Sequence, residues 1–175
     1  MHTSRFVLLT TAALAAATLT ARAAAAQTPV RFSAVGGFSL PEGDLASGAD
    51  LGVNLGFRGE GRISPRGWAL RGDLSWDHYD GHGPVNAYSY YALAGNVVHH
   101  EGTGRLYEFG GLGIYNSRVQ FPDALDRSET NLGVQLGFGL NFSRMSNMFT
   151  EFGLTSAFTS GRSSAWFPVR LGVRF

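Results

Sequence analysis

The sequence predicts an all-β chain, an eight-stranded antiparallel up-and-down transmembrane β-barrel behind a cleavable signal peptide. Three observations predict it. Eight stretches alternate apolar and polar residues one by one, which is the period of an extended strand. The segments joining them are short and long in turn. One face of the strands is almost free of charge, while the other carries arginines, aspartates and glutamates among glycines.

The leader comes first. MHTSRFVLLTTAALAAATLTARAAAAQTP opens with His2 and Arg5, runs uncharged from Phe6 to Thr20, and offers Ala24, Ala25 and Ala26 as an A-x-A-like cleavage site before Gln27. This is the layout of a secretory signal peptide, and its apolar run falls short of the ~20 residues of a membrane-spanning helix. Residues 1–26 are therefore assigned to the signal peptide and 27–175 to the barrel domain. That length suits a single barrel or sandwich. Cysteine is absent, so this exported chain is held together without disulfides. Lysine is absent too, and removing Arg5 and Arg22 from the 14 basic residues leaves 12 against 13 acidic ones. Such a balance argues against nucleic acid as a partner.

The strands follow in order. The first spans 30–40. The second, 50–63, reads DLGVNLGFRGEGRI: Leu51, Val53, Leu55, Phe57, Gly59, Gly61 and Ile63 share one face, and Arg58, Glu60 and Arg62 share the other. The third, 67–79, alternates in the same way, and the fourth spans 87–100. The fifth, 105–116, is the least regular. With Tyr107, Phe109, Gly111, Gly113 and Tyr115 on one face, Leu112 and Ile114 share the polar face with Glu108, which calls for a bulge or an aliphatic patch in the lumen. The sixth, 130–142, puts Leu132, Val134, Leu136, Phe138, Leu140 and Phe142 opposite Asn131, Gln135, Asn141 and three glycines. The seventh spans 148–159. The eighth, 166–175, ends in FPVRLGVRF, with Phe167, Val169, Leu171, Val173 and Phe175 on one face.

Tight turns are expected at 64–67, 101–104 and 143–147. The connections at 41–49, 80–86, 117–129 and 160–165 are mostly longer and rich in Gly, Pro, Asp and Ser. That asymmetry is the mark of an outer-membrane barrel, and an even strand count puts both termini on the short-turn side. Strands of ~10–14 residues reach across a hydrocarbon layer at a tilt near 40°. Aromatics gather near the strand ends as two girdles: Phe32, Trp68, Tyr107, Phe142 and Phe175 toward the turns, and Phe38, Trp76, Tyr88, Tyr115, Phe158 and Phe167 toward the loops.

A soluble ligand-binding barrel with its apolar face inward is the competing arrangement. The polar face decides against it. Arg58, Glu60, Arg62, Arg71, Asp73, Asp77, Glu108, Glu151, Arg170 and Arg174 lie there, five of each sign, interspersed with glycine. Small residues beside Arg–carboxylate pairs fill a narrow lumen, and an uncharged apolar band is needed only against lipid. These ten residues are expected to form a lumen network.

The segments GGFSLPEGDLASGADLGVNLGF, YEFGGLGIY and FPVRLGVRF carry a resemblance. The chain resembles the small eight-stranded outer-membrane β-barrel superfamily, which includes the transmembrane domain of OmpA, OmpX and the opacity proteins. Unlike in full-length OmpA, no appended peptidoglycan-binding domain is expected. The resemblance implies a location in the outer membrane of a Gram-negative bacterium, contact with outer-membrane lipid and lipopolysaccharide, and a monomeric state. It also implies that Phe167, Val169, Leu171, Val173 and Phe175 form the signal read by the β-barrel assembly machinery.

The remaining residues hold a few constellations that could carry chemistry. His78, Ser89 and Asp80 form a catalytic triad by composition, near the outer leaflet, as a lipid A deacylase-like enzyme would need. An interfacial histidine is the simpler reading, and no catalytic residue is assigned. His99 and His100 precede Glu101, but neighbours on a strand point to opposite faces and cannot readily share an ion. His78 and His82 lie four apart across a strand end, so no metal or cofactor is expected. The glycines of GEG, GLG and GFG lack the strand-to-helix context of a phosphate loop. The expected role is structural or surface-interacting, in envelope integrity or loop-mediated adhesion to an unknown extracellular partner. The protein is expected to be neither an enzyme nor a general porin.

Overall fold

The computed structural model describes residues 29–102, 104–122, 125–142, 147–159 and 162–175. The signal-peptide assignment lies outside them. Eight strands follow one another: β1 (Arg31–Gly43), β2 (Gly52–Arg62), β3 (Trp68–Asp80), β4 (Ala87–His100), β5 (Leu106–Gln120), β6 (Arg127–Asn141), β7 (Met148–Thr159) and β8 (Arg162–Arg174). Each pairs antiparallel with the next, and β8 returns to β1 through Ser33↔Arg174 and Phe38↔Val169, closing the barrel. Closure satisfies the backbone N–H and C=O groups within the wall, the condition for strands to cross a bilayer.

The alternation seen in the sequence becomes an inside and an outside. Leu55, Leu93 and Leu136 are 57%, 59% and 54% exposed, whereas Asn54, Ala94 and Gln135 beside them are buried. In water such an outer surface would be unfavourable over its whole girth. Glycine matters at two kinds of place. Gly67, in the β2–β3 turn, has φ +90 and lies where a Cβ would meet the His100 carbonyl. In the lumen, Gly139 lies under the Tyr107 ring and Gly172 under the Phe149 ring, where a side chain would overlap the aromatic.

Three expectations are corrected. β5 is regular, with no bulge: Tyr107, Phe109 and Tyr115 face the lumen, and Leu112 (70% exposed) and Ile114 face outward. Glu108 shares that outward face, so it stands outside the lumen. Parity settles this: the apolar face of the fifth strand is the outer one, as elsewhere, and Glu108 is tolerated there because it sits at the rim. Tyr107, Tyr115 and Tyr88 do not join the girdles; the first two are 1% exposed in the lumen, and Tyr88 packs against the inner cluster. Finally, the 117–129 and 160–165 loops are largely strand. β5 and β6 continue pairing through Ser117↔Glu129 and Val119↔Arg127, and β8 starts at Arg162. Polar hairpins standing in water need no apolar alternation, so the sequence pattern carries no sign of them.

Candidate functional site in the lumen and on the barrel wall

The lumen is stacked in layers from the loop end to the turn end. Beneath the loops Tyr79, Tyr90, Tyr115 and Trp166 pack with Leu45 of the single helical turn Leu45–Ser47. Tyr90 lies 4.6 Å and Tyr115 5.8 Å, centroid to centroid, from Trp166. Below them the Ser39 hydroxyl donates to Asp77 Oδ1, Asn54 Nδ2 donates to Ser39 Oγ at 3.0 Å, and Arg170 Nε donates to Asn54 Oδ1 at 3.2 Å.

The central layer is ionic. Arg71 Nη1 reaches Glu151 Oε1 at 2.9 Å and its Nε lies 3.0 Å from Asp73 Oδ1. Arg58 pairs with the other oxygen of Glu151 at 2.5 Å. Tyr107 Oη donates to Glu151 at 2.7 Å, while Asn96 and Gln135 donate to Asp73 at 3.1 and 3.2 Å. Arg58, Arg71, Asp73, Asp77, Glu151 and Arg170 are all buried, and their charges cancel. Cancellation is required, because an unpaired buried charge carries a desolvation penalty of several kcal/mol. The Arg71 guanidinium also stacks over the Phe109 ring at 4.2 Å. Phe109 belongs to a lower apolar cluster with Val35, Ala69, Val98, Tyr107 and Phe149.

Of the ten residues expected in one network, six share these two layers. Glu60 lies nearer the turns and pairs with His100 Nε2 at 2.8 Å. Arg174 donates to Asn141 Oδ1 and covers the Phe149 ring at 4.3 Å. Arg62 is exposed at the end of β2. Glu108 stands on the outer face, 3.3 Å from His99 Nδ1. Ser39, Asn54, Asn96, Gln135 and Tyr107, none of them among the ten expected residues, bind the charges together. Their inward parity is readable in the sequence, but a neutral side chain carries no sign of an ionic network, and Tyr107 was expected in a girdle. Each of the eight strands supplies at least one member of the two layers.

On β8 Leu171, Val173 and Phe175 point outward at 49%, 45% and 69% exposure, and Phe167 and Val169 are half-buried. Phe175 donates its N–H to the Phe32 carbonyl at 3.0 Å and packs near Phe57, ring to ring at 6.0 Å. Higher on the outer wall, the cross-strand neighbours His78 and Ser89 meet, with Nδ1 and Oγ 3.0 Å apart. Asp80 Oδ1 lies 3.9 Å from His78 Nε2. Immediately below, Leu55, Leu74, Trp76, Tyr91, Leu93 and Ile114 line an apolar groove of about 670 Å³. His99 and His100 point to opposite faces, each toward its own glutamate.

The family described as outer membrane protein beta-barrel domain matches residues 11–175. The chain belongs to this outer-membrane β-barrel family. Its apolar girth therefore faces the lipid of a bacterial outer membrane. Solved structures agree in fold. The attachment invasion locus protein Ail of Yersinia pestis superposes with a TM-score of 0.63 at 15% identity, covering 83% of this chain and 97% of that one. Neisserial surface protein A gives 0.54 at 16%, covering 83% and 97%. The N-terminal β-barrel domain of Pseudomonas aeruginosa OprF gives 0.54 at 15%, covering 85% and 100%. No curated protein sequence matches the chain.

Proposed function

We propose that this protein is a structural or surface-interacting element of the outer membrane whose lumen is sealed to solutes. The observation that carries this reading is the charge-neutral network drawn from all eight strands, roofed by Tyr79, Tyr90, Tyr115 and Trp166. Eight strands enclose a space only wide enough for side chains to fill. With transport removed, the surfaces left for function are the loops and the β5–β6 hairpin, which would meet an external partner, and the lipid-facing wall, which would meet lipopolysaccharide. The outward row of β8 serves in this reading as the segment engaged by the assembly machinery, and the closed barrel as a monomer. The test is conductance of the refolded protein in a planar bilayer. Silence or rare small flickers are expected; steady porin-sized steps would overturn the sealed lumen.

One observation favours a second reading, a lipid-modifying hydrolase: the 3.0 Å approach of Ser89 to His78 above an acyl-sized groove. Against it, Ser89 lies near the start of β4 and is paired on both sides, with His78 of β3 and Arg118 of β5, so its backbone belongs to the ladders rather than to an oxyanion hole. Ser89→Ala and His78→Ala are expected to leave the acylation pattern of lipid A unchanged when the protein is expressed with it. A pattern that depends on either side chain would favour the enzyme.

A further inference from the structure

We infer that the periplasmic mouth of the barrel is a binding site for phosphate-bearing anions. The turn end opens into a cavity of about 930 Å³ whose lining includes Arg31, Arg62, Arg66, Arg174, His99 and His100. Among the described residues Glu101 is the one acidic side chain on that lining. Glu60 lies deeper and is taken by His100, and Glu108 stands on the outer wall against His99.

One of the arginines, Arg174, is held in place, and two, Arg31 and Arg66, are uncommitted. Arg174 is fixed by Asn141 and by the Phe149 ring. Arg31 and Arg66 are exposed and make no ion pair among the described residues. Among the described residues the opposite rim has the reverse balance, with Glu42, Asp44, Asp50, Asp80, Asp126 and Glu129 exposed against Arg118, which pairs with Asp126, and Arg127. The positive field is thus specific to the turn end. A concave site lined by one sign of charge concentrates counter-ions of the other, and the volume is that of a small-molecule pocket.

Guanidinium groups present planar forks of donors to anionic oxygens. A phosphate offers several acceptor oxygens and up to two charges, which suits several arginines converging from different strands better than a single carboxylate would. The anion could be a soluble periplasmic solute or the headgroup of an inner-leaflet phospholipid at the rim; both present the same chemistry to the same arginines.

The test titrates the refolded full-length barrel, in a zwitterionic detergent and phosphate-free buffer, with pyrophosphate while following the amide signals of residues 99–102. Saturable shifts confined to the turn end are expected, weakening as salt is added. The double variant Arg31→Gln/Arg66→Gln should bind at least tenfold more weakly. Arg118→Gln at the loop end should bind like the parent, and a gel shift on boiling checks that each variant is folded. A second titration with short-chain phosphatidylglycerol separates the sources: competition with pyrophosphate admits the lipid headgroup, and its absence restricts the site to soluble anions. Unsaturable binding at millimolar pyrophosphate would overturn the proposal. So would equal affinity in Arg31→Gln/Arg66→Gln, or equal binding of succinate.

Discussion

Glu108 and Glu151 show how far a single residue can be read. Both are glutamates in strands rich in glycine and aromatics, and both were expected in the lumen. Glu151 accepts from Arg58, Arg71 and Tyr107 and is 1% exposed. The Glu108 side chain, 71% exposed, reaches the rim histidine His99. Their substitutions should therefore part company. Glu151→Ala leaves two buried guanidiniums without their shared carboxylate and should cost about 3–5 kcal/mol of stability; Glu108→Ala should stay within about 0.5 kcal/mol. Urea unfolding of the refolded variants measures both, and comparable midpoints would remove Glu151 from its central place. The charge at 108 was legible; its face was not, because one charged residue was allowed to outweigh the aliphatic parity of Leu112 and Ile114.

At the scale of the element, the membrane-spanning parts of the strands were legible and their extensions were not. Lipid on one side and a packed lumen on the other force a period of two on every spanning strand. Above the bilayer that force disappears, and the upper β5–β6 hairpin is held by its ladder and by polar pairs. Asn116 donates to Ser128 and Thr130, and Arg118 reaches Asp126 Oδ2 at 2.6 Å. A loop and a hairpin differ in hydrogen exchange, since ladder amides are protected. Amides of 117–119 that participate in the β5–β6 ladder should exchange orders of magnitude more slowly than those of residues 121 and 125. Uniformly fast exchange from 117 to 129 would restore the loop.

The whole molecule was legible as a closed shape because each of its boundary conditions leaves a trace in the chain: apolar positions for lipid, charges for the lumen, turns alternating in length. What fills the lumen was only half visible, since aromatics were assigned to the interfaces by their place near strand ends. Tyr107 and Tyr115 show that the face a ring takes outranks its height. Two expectations belong to this scale. A closed barrel resists detergent until heated, so the folded protein should migrate differently on gels before and after boiling. Leu112→Arg, at an outward position, should impair insertion, since an arginine near the midplane costs about 2–4 kcal/mol. Normal yields of folded Leu112→Arg would mean that the wall of β5 is turned around.

The pairing of β2 with β3 carries one more consequence. In the native register Arg58 faces Asp73 and Glu60 faces Arg71. A slip of one residue would turn the two charges of the slipped strand toward lipid and leave their partners in the lumen unpaired. Slipping by two in one direction would set Arg58 opposite Arg71; in the other, Glu60 would meet Asp73 and Arg62 would meet Arg71. Like charges directly opposite are destabilising, so both neighbouring alignments are penalised while the native one is favoured. The five charges behave as an error-detecting code written across two strands: a misaligned hairpin announces itself electrostatically before the barrel has closed around it.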